Sequence, residues 1–146
     1  MPADSKFSAN VAIMTWMQAI APFGVFTTDR SLHLRSWNEW LAGQSNRSAD
    51  EVIGRPLTEI YPEIAARNLD KHYARALAGE IVVLSTALHK YLLPFPTTTA
   101  ENVTSNMLQT VRIAPLTEGP EVVGTITVIE DVTQREVQAT LLQRHQ

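Results

Sequence analysis

The spacing of apolar residues changes several times along the chain, and each change marks an element. Between Ser8 and Ala21, Ile13, Trp16, Met17 and Ile20 recur every three or four positions and Pro22 follows, which predicts an amphipathic helix within an N-terminal segment, residues 1–22. "FGVFTTD" (Phe23–Asp29) and "LHLRSWN" (Leu32–Asn38) then read as two strands joined at "DRS". "NEWLAG" predicts a short helix ended by Gly43. "SADEVIG" predicts another, with Ser48 and Asp50 as caps and Gly54 as its stop. Pro56 and Pro62 confine "LTEIY" to a turn or two. The stretch Pro62–Glu80 predicts one longer helix, with a stripe of Ala65, Ala66, Leu69, Tyr73, Ala76 and Leu77 and a stop at Gly79.

Three extended segments follow, Ile81–Leu93, Met107–Leu116 and Glu121–Asp131. The polar, Pro- and Thr-rich run Pro94–Asn106 separates the first two as a surface loop, and "TEGP" joins the last two as a hairpin. Two strands at the front and three at the back, with helices between, predict an α+β domain built on one five-stranded antiparallel sheet. Neither face of Ile81–Leu92 is plainly polar, so the sheet is expected to be covered on both sides. Short helices would take one face, and the N-terminal helix, a partner subunit or both the other. The last strand runs into "DVTQRE", where Thr133 and Glu136 fit a capping box and Asp131 offers a second cap. Val137, Leu141 and Leu142 continue as a helix that reaches Gln146, so the chain is expected to be a fragment of a longer protein.

Composition narrows the chemistry. With 146 residues, 45% apolar and 18% charged, the chain fits one soluble globular domain. The net charge of -3 and the scattered basic residues give no case for nucleic acid. There is no cysteine, which excludes disulfides, thiolate metal sites and a Cys nucleophile, and fits a reducing, cytoplasmic setting. Phe7–Thr28 carries no charge, yet Ser8, Asn10, Thr15, Gln18, Pro22 and Gly24 interrupt it. It reads as helix then strand, with no membrane insertion. The two Asn-x-Ser/Thr matches, at Asn46 and Asn102, lack a secretory signal and carry no weight. No nucleophile elbow or phosphate loop is present, so no enzyme activity is expected. A small α+β enzyme with a buried carboxylate base is the rival reading.

The residues resemble the PAS family over Phe23–Glu136. "SWNEW" is similar to its strand end followed by Asn and a short helix. "ADEVIGRPLTEIYPE" resembles its acidic turn followed by Gly-x-Pro and a hydrophobic-Pro step. "ALAGE" resembles the end of its long helix, and "DVTQRE" the Asp-hydrophobic-Thr-x-Arg signature after its last strand. The resemblance implies a core at 23–131 and, at 132–146, the start of a signalling helix to an output domain of histidine kinase or cyclic-di-GMP enzyme type. It implies a sensory module of a bacterial signalling protein that dimerises, for which the Ile13, Trp16, Met17 and Ile20 stripe is the candidate interface. Asp131, Thr133 and Glu136 become candidate relay residues, with Asp131 expected to lock onto a nearby Arg.

The cofactor is open. Photoactive members need a cysteine that this chain lacks. A redox flavin would draw on Gln109, Asn68 and Trp37, and haem would need His72 or His89, since His33 and His145 read as surface residues. Neither cofactor is favoured. His72 sits on the flank of its helical stripe, and the family's ligand position falls nearer Leu69. Trp37, Trp40, Leu69, Tyr73, Leu77, Leu84, Leu88, Val111 and Ile126 are candidates to line one apolar cavity for a small molecule; the same residues equally fill a core without a ligand. Arg112 is expected to pair with Glu130 across the sheet, with a carboxylate ligand as the alternative.

Overall fold

The computed structural model of the protein describes residues 23–86, 90–95 and 107–144. The predicted N-terminal helix with Ile13, Trp16, Met17 and Ile20 lies outside these residues, as do Leu88, His89 and His145. Strands β1 (Gly24–Asp29), β2 (Leu34–Trp37), β3 (Val82–Leu84), β4 (Gln109–Glu118) and β5 (Glu121–Asp131) form one antiparallel sheet in the order β2-β1-β5-β4-β3. Helices α1 (Glu39–Ser45), α2 (Ala49–Val52), α3 (Leu57–Ile60), α4 (Glu63–Ala66) and α5 (Asp70–Leu77) connect β2 to β3, and α6 (Thr133–Arg144) leaves the end of β5.

Strand alternation explains the core. Phe26, Thr127, Ile113 and Val82 stand in one row across the sheet through their cross-strand pairing, and all are buried. Ile129, Val111 and Leu84 form the next row of the same face. Helix α5 lies across β3, β4 and β5 and closes this face with Tyr73 and Ala76, while α1 packs on β1. The opposite face carries Thr27, Ile126, Val128 and Arg112, and Val83 there is 57% exposed.

Local chemistry positions the short helices. Asn38 caps α1 by accepting from the Leu41 N–H at 3.2 Å, and its amide donates to the Phe23 carbonyl at 2.9 Å, so helix and β1 share one anchor. Ser48 caps α2 as expected, and the residue that closes its capping box is Glu51 rather than Asp50. The next turn then serves the sheet. Gly54, at φ 89, donates to Leu34, and Leu34 donates to Arg55, so the "GRPL" stretch covers the free edge of β2.

Three elements differ from the sequence-based expectation. The long helix is two, because Asn68 adopts a left-handed φ of 61 and the Leu69 N–H closes back onto Ile64. Ala65 and Ala66 are exposed as a result, and Ile64 takes the buried place. Helix α1 passes Gly43 and ends at Asn46, whose φ of 58 supplies the stop. The strand expected at Ile81–Leu93 is only Val82–Leu84; Lys90 has φ 63, and Leu92, Leu93 and Phe95 turn into the core. The Pro94–Asn106 run therefore begins buried at Phe95 rather than on the surface.

Gly124 pairs with Asp29 across β1 and β5, and a Cβ there would sit 1.9 Å from the Thr28 carbonyl oxygen. Gly124→Ala is therefore expected to lower the unfolding free energy by about 3 kcal/mol in urea titrations. Gly43→Ala, inside α1 with nothing within 4 Å of the new carbon, should raise it by about 0.5–1 kcal/mol.

Candidate functional site

The structure gathers most of the candidate cavity residues. Trp37, Leu69, Tyr73, Leu84 and Val111 belong to one buried cluster, with Trp40 packed against it. Leu77 is half-buried at the end of α5, and Ile126 lies on the other face of the sheet, opposite Thr27 and Ala114. Within the cluster the rings touch one another. Phe26 and Trp37 stand 5.6 Å apart, Trp37 stacks on Tyr61 at 6.4 Å, and Phe95 meets Tyr61 and Trp40 edge-on at 6.4 and 6.2 Å. The Arg47 guanidinium lies 5.4 Å from the Tyr61 ring, and Arg67 lies 4.2 Å from that of Tyr91.

Hydroxyls supply the polar points of this core. The Tyr73 hydroxyl hydrogen-bonds Thr127 at 2.8 Å, and Thr28 hydrogen-bonds Thr125 at 2.7 Å, so α5 and β1 are each tied to β5. Burial, partly offset by the Thr127 bond, raises the Tyr73 pKa far above its ordinary 10.0. Burial also raises that of Tyr61, against the pull of the Arg47 charge. No carboxylate is buried among the described residues.

A second candidate site is the junction of β5 and α6. The Asp131 carboxylate accepts from the Thr133 N–H at 2.9 Å, and the Thr133 hydroxyl, 1% exposed, accepts from the Leu108 N–H at 2.8 Å. Val132 donates to the Leu108 carbonyl at 2.9 Å. Of the two caps expected, Asp131 is the one that binds the first N–H of the helix. Asp131 caps the helix, and Thr133, its first residue, uses its hydroxyl to fasten the helix to the lead of β4. Asp131 is bound to no Arg in this seam. Arg135 reaches Glu130 at 4.0 Å, a long and exposed contact of little energetic weight. Glu136 donates its backbone N–H to Val132 as part of the first turn.

Other candidates are placed as follows. Arg112 is exposed and stands opposite Val128 and Val83, while Glu130 stands opposite Thr110 and has its ion-pair contact with Arg135 in place of the expected Arg112. His72, on α5, is buried at 5% exposure. His33 is half-exposed, with Nδ1 3.5 Å from Asp29. The three side chains considered for a flavin are engaged or remote. Trp37 donates to the Arg47 carbonyl at 3.1 Å, Asn68 is exposed, and Gln109 is spent on the backbone of Leu92 and Leu93. That Gln109 clamp and the inward Phe95 escaped the sequence reading. An aromatic between two prolines was the available signal for Phe95.

A five-stranded sheet in this order, with short helices on one face and a helix leaving the last strand, defines a class of α+β domain. The PAS fold family model matches residues 20–137, and the chain belongs to that family. Among solved structures it is similar to the PAS domain of BvgS from Bordetella pertussis, with 15% identity, a TM-score of 0.63, and 93% of this chain and 96% of that one covered. It is similar to a sensory box sensor histidine kinase structure from Vibrio cholerae, with 14% identity, a TM-score of 0.57, and coverage of 88% and 95%. It is also similar to a phage VqmA–DPO complex, with 14% identity, a TM-score of 0.63, and coverage of 97% and 62%. No curated protein matches it by sequence.

The Tyr73–Thr127 bond has a pH signature. An unfolded tyrosine releases its proton near its ordinary pKa, whereas folded Tyr73 retains it. Above about pH 10 the folded state therefore binds more protons, and stability falls as pH rises. Wild type should lose stability more steeply than Tyr73→Phe between about pH 8 and pH 11. Tyr61 titrates alike in both proteins and cancels. At neutral pH the substitution should cost about 1 kcal/mol in urea unfolding.

Proposed function

We propose that this chain is a sensory and dimerisation module that relays the state of its core to a C-terminal output domain, without catalysis of its own. In this reading residues 1–22 carry an amphipathic helix, 23–131 form the sensing core, and 132–146 begin the signalling helix. The observation that carries it is the seam of Asp131, Val132, Thr133 and Leu108, which joins the last helix to the sheet by hydrogen bonds instead of leaving it as a free tail. Leu141 and Leu142 are 39% and 66% exposed, as suits a helix that continues toward a partner helix. The family is sensory rather than catalytic, and solved relatives of this fold include domains of sensor histidine kinases. That favours a histidine kinase output, with a cyclic-di-GMP enzyme as the alternative, in the cytoplasm. No helix among the described residues is long and apolar enough to cross a membrane.

The module is read as responsive to a small ligand held among Trp37, Trp40, Leu69, Tyr73, Leu84 and Val111. A phage VqmA of the same fold is described in complex with DPO. The second reading is a ligand-free structural module, favoured by the ring-to-ring packing of Phe26, Trp37, Tyr61 and Phe95. Mass spectrometry of the denatured extract, with an absorption spectrum for haem or flavin, decides between them.

In the longer protein, Asp131→Ala should leave the core folded and remove most of the signal dependence of output activity. Unchanged dependence would refute the relay. For the homodimer, Ile13→Asp should shift sedimentation toward the monomer at least about tenfold in dissociation constant. A wild-type chain that stays monomeric at high concentration would refute the interface.

A further inference from the structure

A strand offers successive residues to opposite neighbours, and the short run Met107–Leu108–Gln109 uses both of its edges. Met107 and Gln109 face the 90–95 segment. The Met107 N–H donates to the Phe95 carbonyl and the Gln109 N–H to the Lys90 carbonyl, each at 2.8 Å. Leu108, between them, faces the other way. Its N–H donates to the Thr133 hydroxyl at 2.8 Å and its carbonyl accepts from Val132 at 2.9 Å. The segment 90–95 and the first residue of α6 are therefore attached to opposite sides of three consecutive residues.

The Gln109 side chain makes the first attachment stiff. At 1% exposure, its Oε1 accepts from Leu92 at 2.9 Å and from Leu93 at 3.3 Å, and its Nε2 donates to the Leu93 carbonyl at 2.8 Å. Leu92 and Leu93 are fully buried, so losing this amide would strand backbone groups in a dry core. Beyond it, Phe95 carries the connection into the aromatic cluster through Tyr61 and Trp40. These last two residues belong to the helical layer, far from β5 in sequence.

We propose that the 90–95 segment is an input to the β5–α6 hinge in its own right, with Gln109 as the positioning residue that couples the aromatic cluster to the start of α6. A shift of Phe95 moves 107–109 as a unit, and the movement arrives at Val132 and Thr133 one peptide away, without passing through the Tyr73–Thr127 contact to β5. The inference rests on the relay reading of the α6 start.

Amide hydrogen exchange on the full 146-residue chain tests it. In Gln109→Met, the Leu92 and Leu93 amides should exchange faster, and the Val132 and Thr133 amides should accelerate with them by about tenfold. The Phe26 and Thr127 amides of the β1–β5 ladder should change by less than about twofold. Acceleration confined to Leu92 and Leu93 overturns the proposal. Should Gln109→Met unfold or loosen every amide equally, Phe95→Leu decides. Faster exchange at Val132 and Thr133 supports the coupling, and exchange altered only within 90–95 and 107 overturns it. Thr133→Val separates the two layers of the argument. It should expose the Leu108 amide, and if that amide keeps its wild-type rate the relay seam itself falls, whatever Gln109→Met shows.

Discussion

Between β3 and β4, the backbone of Leu92 and Leu93 must be satisfied inside a dry core. Helices and strands meet that demand with their own ladders, but Leu92 and Leu93 are buried in neither. One primary amide, that of Gln109, provides the acceptor for both N–H groups and a donor for one carbonyl. Here a side chain replaces a piece of sheet. Much else follows from it. Phe95 is held against Tyr61 and Trp40, the lead of β4 is fixed in register, and Leu108 is presented to the helix start.

The polar groups in the core share a purpose. Thr125 and Thr127 stand at inward positions of β5 where valine or isoleucine would pack as well, and each binds a hydroxyl from a different element. Thr133, the first residue of α6, accepts from the lead of β4. A buried hydroxyl without its partner costs about 1–3 kcal/mol, so these contacts favour one arrangement over near alternatives more than they add stability. β5 thereby joins β1, α5 and β4 to the helix that leaves the domain. That is the property expected of a strand that reports on its surroundings.

How much of this was legible in the residues depended on the range of the contacts involved. Ser48, Gly54 and the whole of β5 were predictable, because caps and β-branched alternation are local physics. The family signature at "DVTQRE" placed the junction correctly. Its bonding was not legible, since the Thr133 hydroxyl serves Leu108, 25 residues away. The break at Asn68 was hidden by a continuous apolar stripe, and only the tolerance of Asn for left-handed backbone hinted at it. Arg112 and Glu130 looked like partners by charge, but register sets them opposite Val128 and Thr110. For Gln109 no local pattern exists, because the Leu92 and Leu93 groups it binds lie 17 and 16 residues back in the chain.

On the proposed relay, the start of α6 opens with the core and not with the helix tail. Residue-resolved amide exchange of the unmodified chain measures this directly. The account predicts that Leu108, Val132 and Thr133 share the protection of the β4–β5 ladder, while amides beyond Gln138 exchange through a much cheaper local opening. Exchange at Leu108, Val132 and Thr133 as fast as in the distal turns would contradict it, and α6 would then be a tail hung on the sheet rather than its lever.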